Sequence, residues 1–352
     1  MSEPGHDRHR PHAAAPWAEP ERIWLALPVA HPKPSMLDEA RDAVAGLAES
    51  VAAVGEAVVL VDPDDHGAAR LLPRSVARVP ARLRTPLLGR TGPTFVHVGD
   101  AVEAVHWRLP SRTQGGPEGH DAEAGAVVAR AGGLTVHTPL LAAPPAAWAT
   151  DGEGTAVAST MLLDADVNDG WGQGRVEEEL ASRLGIERVV WLPAAAPREA
   201  GPYGGLAHLH PWVRFTAPGA VAVNWQSGRL HPDHAPGAAA VHVLAGVEDA
   251  RGRTLQVHTV PPAVPEAGAA PEGTGPRSLL DTVRIGPAHV LRPAFADPET
   301  DARAAAEAAR LHPGLEQVPF PQPPVLRLLG AFSDLLLPQP CPASSPAPAP
   351  AG

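Results

Sequence analysis

Apolar and polar positions alternate in short blocks, and the blocks predict a succession of strands and amphipathic helices. Leu37, Val44, Leu47, Val51 and Val54 recur at helical spacing, which predicts a helix from a Ser35 cap to about Val54. Ala57–Val61 follows as a continuous apolar run and reads as a buried strand. Thr94–Val98 and Val102–Leu109 flank Gly99-Asp100 and read as a hairpin. Further on, Arg175–Leu184 predicts a helix stopped by Gly185, and Glu187–Leu192 predicts the next strand. Ala220–Trp225, Thr254–Val260 and Val290–Arg292 supply more strands, and Asp301–Leu311 a helix ended by His312-Pro313. The alternation predicts a mixed α/β fold.

The flanks lack this patterning. Residues 1–15 are polar and carry His and Pro, which predicts a disordered arm, and the Pro/Ala-rich stretch 338–352 predicts a disordered tail. Residues 16–337 then form a single α/β domain. A hydrophobic share of 44% is ample for its core. A net charge of −11 argues against a nucleic-acid partner, and nearly all positive charge is arginine, with Lys33 the single lysine. One cysteine, Cys341, rules out an internal disulfide framework and a Cys-rich zinc site. No apolar run is long enough to cross a bilayer, and the N-terminal residues contain no apolar signal segment, so no membrane and a cytoplasmic location are expected. No Gly-rich phosphate loop follows a strand, and no cofactor is expected.

Several stretches share an order and spacing with one family. These are Trp17–Pro28, Arg90-Thr-Gly-Pro-Thr-Phe95, Asp151-Gly-Glu-Gly-Thr155, Glu187–Pro193, Asp249-Ala-Arg-Gly-Arg253 and Pro293–Pro298. Together they resemble the scaffold of the agmatine deiminases, guanidine hydrolases related to the bacterial peptidylarginine deiminases, from about Pro16 to Leu337. The resemblance implies a five-bladed α/β propeller, the pentein fold, in which ββαβ units ring a central pocket. It also implies hydrolysis of agmatine to N-carbamoylputrescine and ammonia, as in putrescine biosynthesis. A small guanidine or amine is then the expected ligand, and a homodimer is compatible with the family.

The chemistry of that family needs a cysteine thiolate, a proton-shuttling histidine and carboxylates that grip the guanidinium. The resemblance places leucine, Leu336 or its neighbour Leu335, where the nucleophile stands. Cys341, five residues beyond Leu336, is either a displaced nucleophile or an incidental thiol. His208 occupies the catalytic histidine's position and equally reads as a structural histidine, with His210 replacing a carboxylate. Thr85 and Arg90 take the positions of the first acidic motif and Pro144-Pro-Ala146 that of the second. The substrate-side motif falls loosely on Leu109–Gly116 without its Asn and Trp. Asp151–Thr155 reads as an Asp-Gly turn between strands. His208, His210, His231 and His234 are numerous enough to hold zinc, but their spacing reads as chance and no metal is expected. Two functions remain: a catalytically inactive homologue, a pseudoenzyme, with a ligand pocket, or an active hydrolase on agmatine or a related guanidine, rebuilt around Cys341 or other residues.

Overall fold

The computed structural model describes residues 10–110, 119–193, 209–230, 234–263 and 278–343. Five small sheets repeat one pattern. In each, an inner strand pairs antiparallel with a middle strand. The middle strand then pairs parallel with the next strand outward, across a helix. The first blade pairs Thr94–Val98 with Ala101–Val105 and Val136–His137, with helix Ala124–Ala131 between the last two. The second uses Trp148–Thr150, Thr155–Ser159 and Arg188–Leu192 with helix Gln173–Leu184. The third uses Val213–Ala217, Ala220–Asn224 and Gln256–Val260 with helix His234–Leu244. Val283–Arg284, His289–Ala294 and Glu316–Pro321 make the fourth, with helix Pro298–Leu311. This is the five-bladed propeller that the resemblance implied.

The fifth blade joins the two ends of the sequence. Leu337–Pro340 pairs antiparallel with Pro20–Ala26, which pairs parallel with Ala57–Val61 and then Ala77–Pro80. Its two prolines are tolerated because the strand is the inner edge, where an amide on the open side has no ladder partner to lose. Gln339 fixes the register by accepting from Trp24 Nε1 at 2.9 Å and donating to Glu21 Oε2 at 2.9 Å. The tail expected from Pro338 is therefore shorter, with Pro338–Pro340 in a sheet. The expected N-terminal arm is shorter too. His12–Ala13 pairs with His97 and Val96 on the first blade, and the His12 ring stacks on that of His97. Residues 1–9 and 344–352 lie outside the described residues.

Burial explains why these segments choose their elements. Ala57–Val61 and Thr155–Ser159 are buried at every position, because strands on one side and a helix on the other cover them. Helix Leu37–Ala52 buries Val44, Leu47 and Val51 against the fifth blade's core, while Leu37 and Val54 are half-covered. Ser35 does not cap it. The chain enters through a 3-10 turn at Pro34–Met36, which holds Ser35 inside that turn and leaves Met36 at the cap position. The last long helix begins three residues before the expected Asp301, since Asp297 accepts the Thr300 amide at 2.9 Å and Pro298 opens the first turn.

Helix Gln173–Leu184 ends as expected on Gly185, in the left-handed region at φ 69°. A Cβ there would also stand 2.3 Å from the Pro11 carbonyl, because the N-terminal strand runs past this turn. Gly170 has a similar φ of 72° with nothing near its Cβ position. Gly170→Ala should therefore cost about 1 kcal/mol, the left-handed penalty alone, and Gly185→Ala at least about twice that. Urea denaturation midpoints of the two variants measure the difference. Equal losses would mean that the N-terminal strand yields freely.

Candidate functional site

The inner strands of all five blades converge on a central cavity of about 220 Å³. Phe95, Trp148, Val213, Val283 and Leu337 each come from a different blade, and residues 13–16 with Ala18 pass beside them. Of the two leucines at the nucleophile's position, Leu336 lines the cavity and Leu335 packs into the core beside it. Pro145, from the stretch standing for the second carboxylate, also lines it. Leu336 and Pro145 make this part of the wall aliphatic.

Cys341 is half-buried one residue past the inner strand of the fifth blade and is not part of the cavity wall. Its amide donates to the Glu19 carbonyl at 2.9 Å. Burial pushes its thiol pKa up, and the neighbouring Glu19 and Glu21 push it further, with Arg284 opposing weakly. This surrounding holds the sulfur protonated and weakly nucleophilic at neutral pH. His208 and His231 lie outside the described residues, as do residues 111–116 of the substrate-side stretch. His210 reaches the cavity and its Nε2 meets the Trp148 carbonyl at 3.2 Å. His234 is engaged elsewhere, with Nδ1 at 2.8 Å from the Gln226 carbonyl. Among the described residues, no three His, Cys, Asp or Glu side chains converge as a metal site would require.

The first acidic positions hold structural residues. Thr85 is buried, its amide donating to Asp121 and its hydroxyl accepting from the Leu87 amide at 3.1 Å. Arg90 is not part of the cavity wall. It forms a two-point pair with Asp334, at 2.9 Å from Nε and 3.2 Å from Nη2, both side chains almost fully buried. Asp334 also accepts the Ala331 amide at 2.8 Å, so the pair locks the short helix Phe332–Leu335 that precedes Leu336.

Asp151–Thr155 and Asp249–Arg253 are turns, as the sequence suggested for the first of them. Asp151 Oδ1 accepts the amides of Glu153 and Thr155, with Gly152 and Gly154 at positive φ. Asp249 does the same for Arg251 and Arg253, and Arg253 then reaches Glu153 at 2.6 Å. The two motifs thus bind each other and staple the second blade to the third. Neither lines the cavity.

Sequence reasoning missed the cavity's arginines. Arg214 and Arg284 line it, from the inner strands of the third and fourth blades. A signal was present, since both strands carry the dipeptide Val-Arg with the valine buried, at 213–214 and 283–284. Burial lowers the Arg214 pKa to about 10, with Asp281 pulling it back up. Behind them His312 shares a 2.8 Å hydrogen bond with the Thr282 hydroxyl, and burial, then Arg214 and Arg284, hold its pKa down to about 3.

The profile of the Porphyromonas-type peptidyl-arginine deiminase family matches residues 12–334. This chain belongs to that family. It is 31% identical over 278 residues to a Streptomyces avermitilis protein provisionally named agmatine deiminase, covering 76% of this chain and 80% of the relative. A Streptomyces coelicolor protein of the same provisional name is 33% identical over 253 residues, covering 70% and 75%. The fold matches that of an Enterococcus faecalis agmatine deiminase with a TM-score of 0.81 at 19% identity, over 97% of this chain and 99% of that one. Within this family scaffold, the described cavity wall has two arginines and a histidine and lacks a carboxylate.

Two outcomes test these assignments. Arg90→Met should destabilise the fold by about 3–5 kcal/mol, because it strands the buried Asp334 carboxylate. Chemical denaturation reads this directly, and a loss below about 1 kcal/mol would show the pair to be exchangeable with water. For His312, the folded pKa lies below the unfolded value, so the unfolded chain binds the extra proton as pH falls through 6.5. Stability should therefore drop by about 2 kcal/mol between pH 7 and pH 5 from this residue. In His312→Asn the same pH series should be flatter by that amount.

Proposed function

We infer that this family member holds a small ligand in its central cavity without deiminating it. One observation carries the reading: Leu336, one of the two leucines that the resemblance sets at the nucleophile's position, lines the cavity. A hydrocarbon side chain cannot attack a guanidinium carbon or carry an amidino intermediate. Supporting it, the wall includes Pro145 where the second carboxylate would grip substrate, so a bound guanidinium would lose its hydration without an anionic partner. Cys341 adds no replacement, with its thiol off the wall and its pKa pushed up. His208 remains the residue proposed at the family's catalytic histidine position. A role in putrescine synthesis would require the hydrolytic reaction, and this reading removes it.

The test is ammonia and N-carbamoylputrescine release from millimolar agmatine by the purified chain beside Cys341→Ala. Both proteins should match the blank. Turnover that disappears with Cys341→Ala would establish the rebuilt hydrolase instead. Alkylation of Cys341 by iodoacetamide at neutral pH should also be no faster than that of free glutathione.

A further inference from the structure

The wall of the cavity carries a charge pattern opposite to the one a guanidine substrate needs, and this extends the noncatalytic reading on which it rests. Arg284 is held by the protein. It donates to the carbonyls of Trp17, Gly286 and Pro287 and pairs with Glu19 at 3.4 Å. Arg214 is different. Among the described residues only its Nη1 is engaged, by the Thr282 carbonyl and more loosely by that of Leu280 at 3.5 Å. Its Nε and Nη2 have no partner among the described residues, and neither is sealed away as a buried unpaired atom.

Asp281, the carboxylate whose charge Arg214 feels, is committed elsewhere. It accepts the amides of Phe332 at 2.7 Å and Ser333 at 3.0 Å, and the Gln322 side chain at 3.2 Å. Among the described residues its bonds and those of Arg214 go to different groups. A largely buried guanidinium without a bound carboxylate is costly unless something supplies the anion. Nε and Nη2 present two parallel donors on one edge of a plane, which matches the two oxygens of a carboxylate. The surrounding wall, including Phe95, Trp148, Val213 and Leu336, is apolar and suits a hydrocarbon or aromatic body. A phosphate fits this wall less well, since its further charges would meet hydrocarbon.

We propose that the central cavity binds a small carboxylic acid with an apolar body, its carboxylate on Nε and Nη2 of Arg214 and its body against Trp148 and Leu336. The cavity has kept the family's place for a ligand while reversing the sign of the ligand it takes.

Calorimetric titration of the full chain with benzoate, phenylacetate and hexanoate, each beside its neutral amide and beside agmatine and inorganic phosphate, tests this. At least one acid should bind, roughly tenfold or more tighter than its amide, because the amide forfeits a charge-assisted contact. Agmatine and phosphate should bind more weakly than that acid. Arg214→Met should erase the preference for acid over amide. The comparison on the unaltered chain stands even if that variant does not fold. Equal binding of acids and amides, no binding by any of the three acids, or preference for agmatine or phosphate would overturn the proposal. Ammonia release from agmatine, followed in the same preparation, bears on the noncatalytic reading alone, so the two can fail separately.

Discussion

The ring is held by buried aspartates that collect backbone amides. Asp121 receives those of Arg84 and Thr85, Asp151 those of Glu153 and Thr155, and Asp249 those of Arg251 and Arg253. Asp281 receives Phe332 and Ser333, and Asp334 receives Ala331 while pairing with Arg90. All five are almost fully buried. These turns and the first turn of helix Phe332–Leu335 leave amides without a ladder partner, and an unpaired buried N–H is expensive. A short carboxylate next to the turn serves two such donors at once and fixes the loop's shape. Asp281 and Asp121 do this across long sequence separations, so the same bonds set how neighbouring blades meet.

Much of this architecture was legible in sequence. The helix faces, the Gly185 stop and the Gly99-Asp100 hairpin all follow from local spacing and turn chemistry. Errors fell where a tertiary partner overrode composition. Pro338–Pro340 looks like the start of a low-complexity tail, yet the pairing of Leu337–Pro340 with Pro20–Ala26 and the Trp24–Gln339 bond make it part of a strand. His12–Ala13 looks like a polar arm, and only its pairing with Val96 and His97 says otherwise. Ser35 has the right chemistry for a cap, but the preceding Pro34 starts a tighter turn that takes it in.

The site was harder to read because losses show in a motif and gains do not. Leu336 and Pro145 stand out against the expected pattern. Arg214 does not, since a lone arginine on a short strand is usually a solvated side chain. Arg90 gave the opposite difficulty. It stands at a position of the first acidic motif, and its neutralising partner Asp334 lies 244 residues away in sequence. Charge in a closed ring is assigned by which inner strand a residue sits on, and that depends on all five blades being in place.

Closure by the fifth blade has a temporal side. Trp24 and Gln339 meet across 315 residues of chain, so a protein growing from its N-terminus keeps Pro20–Ala26 without its inner neighbour through most of synthesis. The four other blades can assemble around a gap, but the cavity has no complete wall until that strand docks. Occupancy of the centre therefore reports a finished ring. Any molecule lodged there touches strands from several blades at once and fastens the last joint rather than any single sheet.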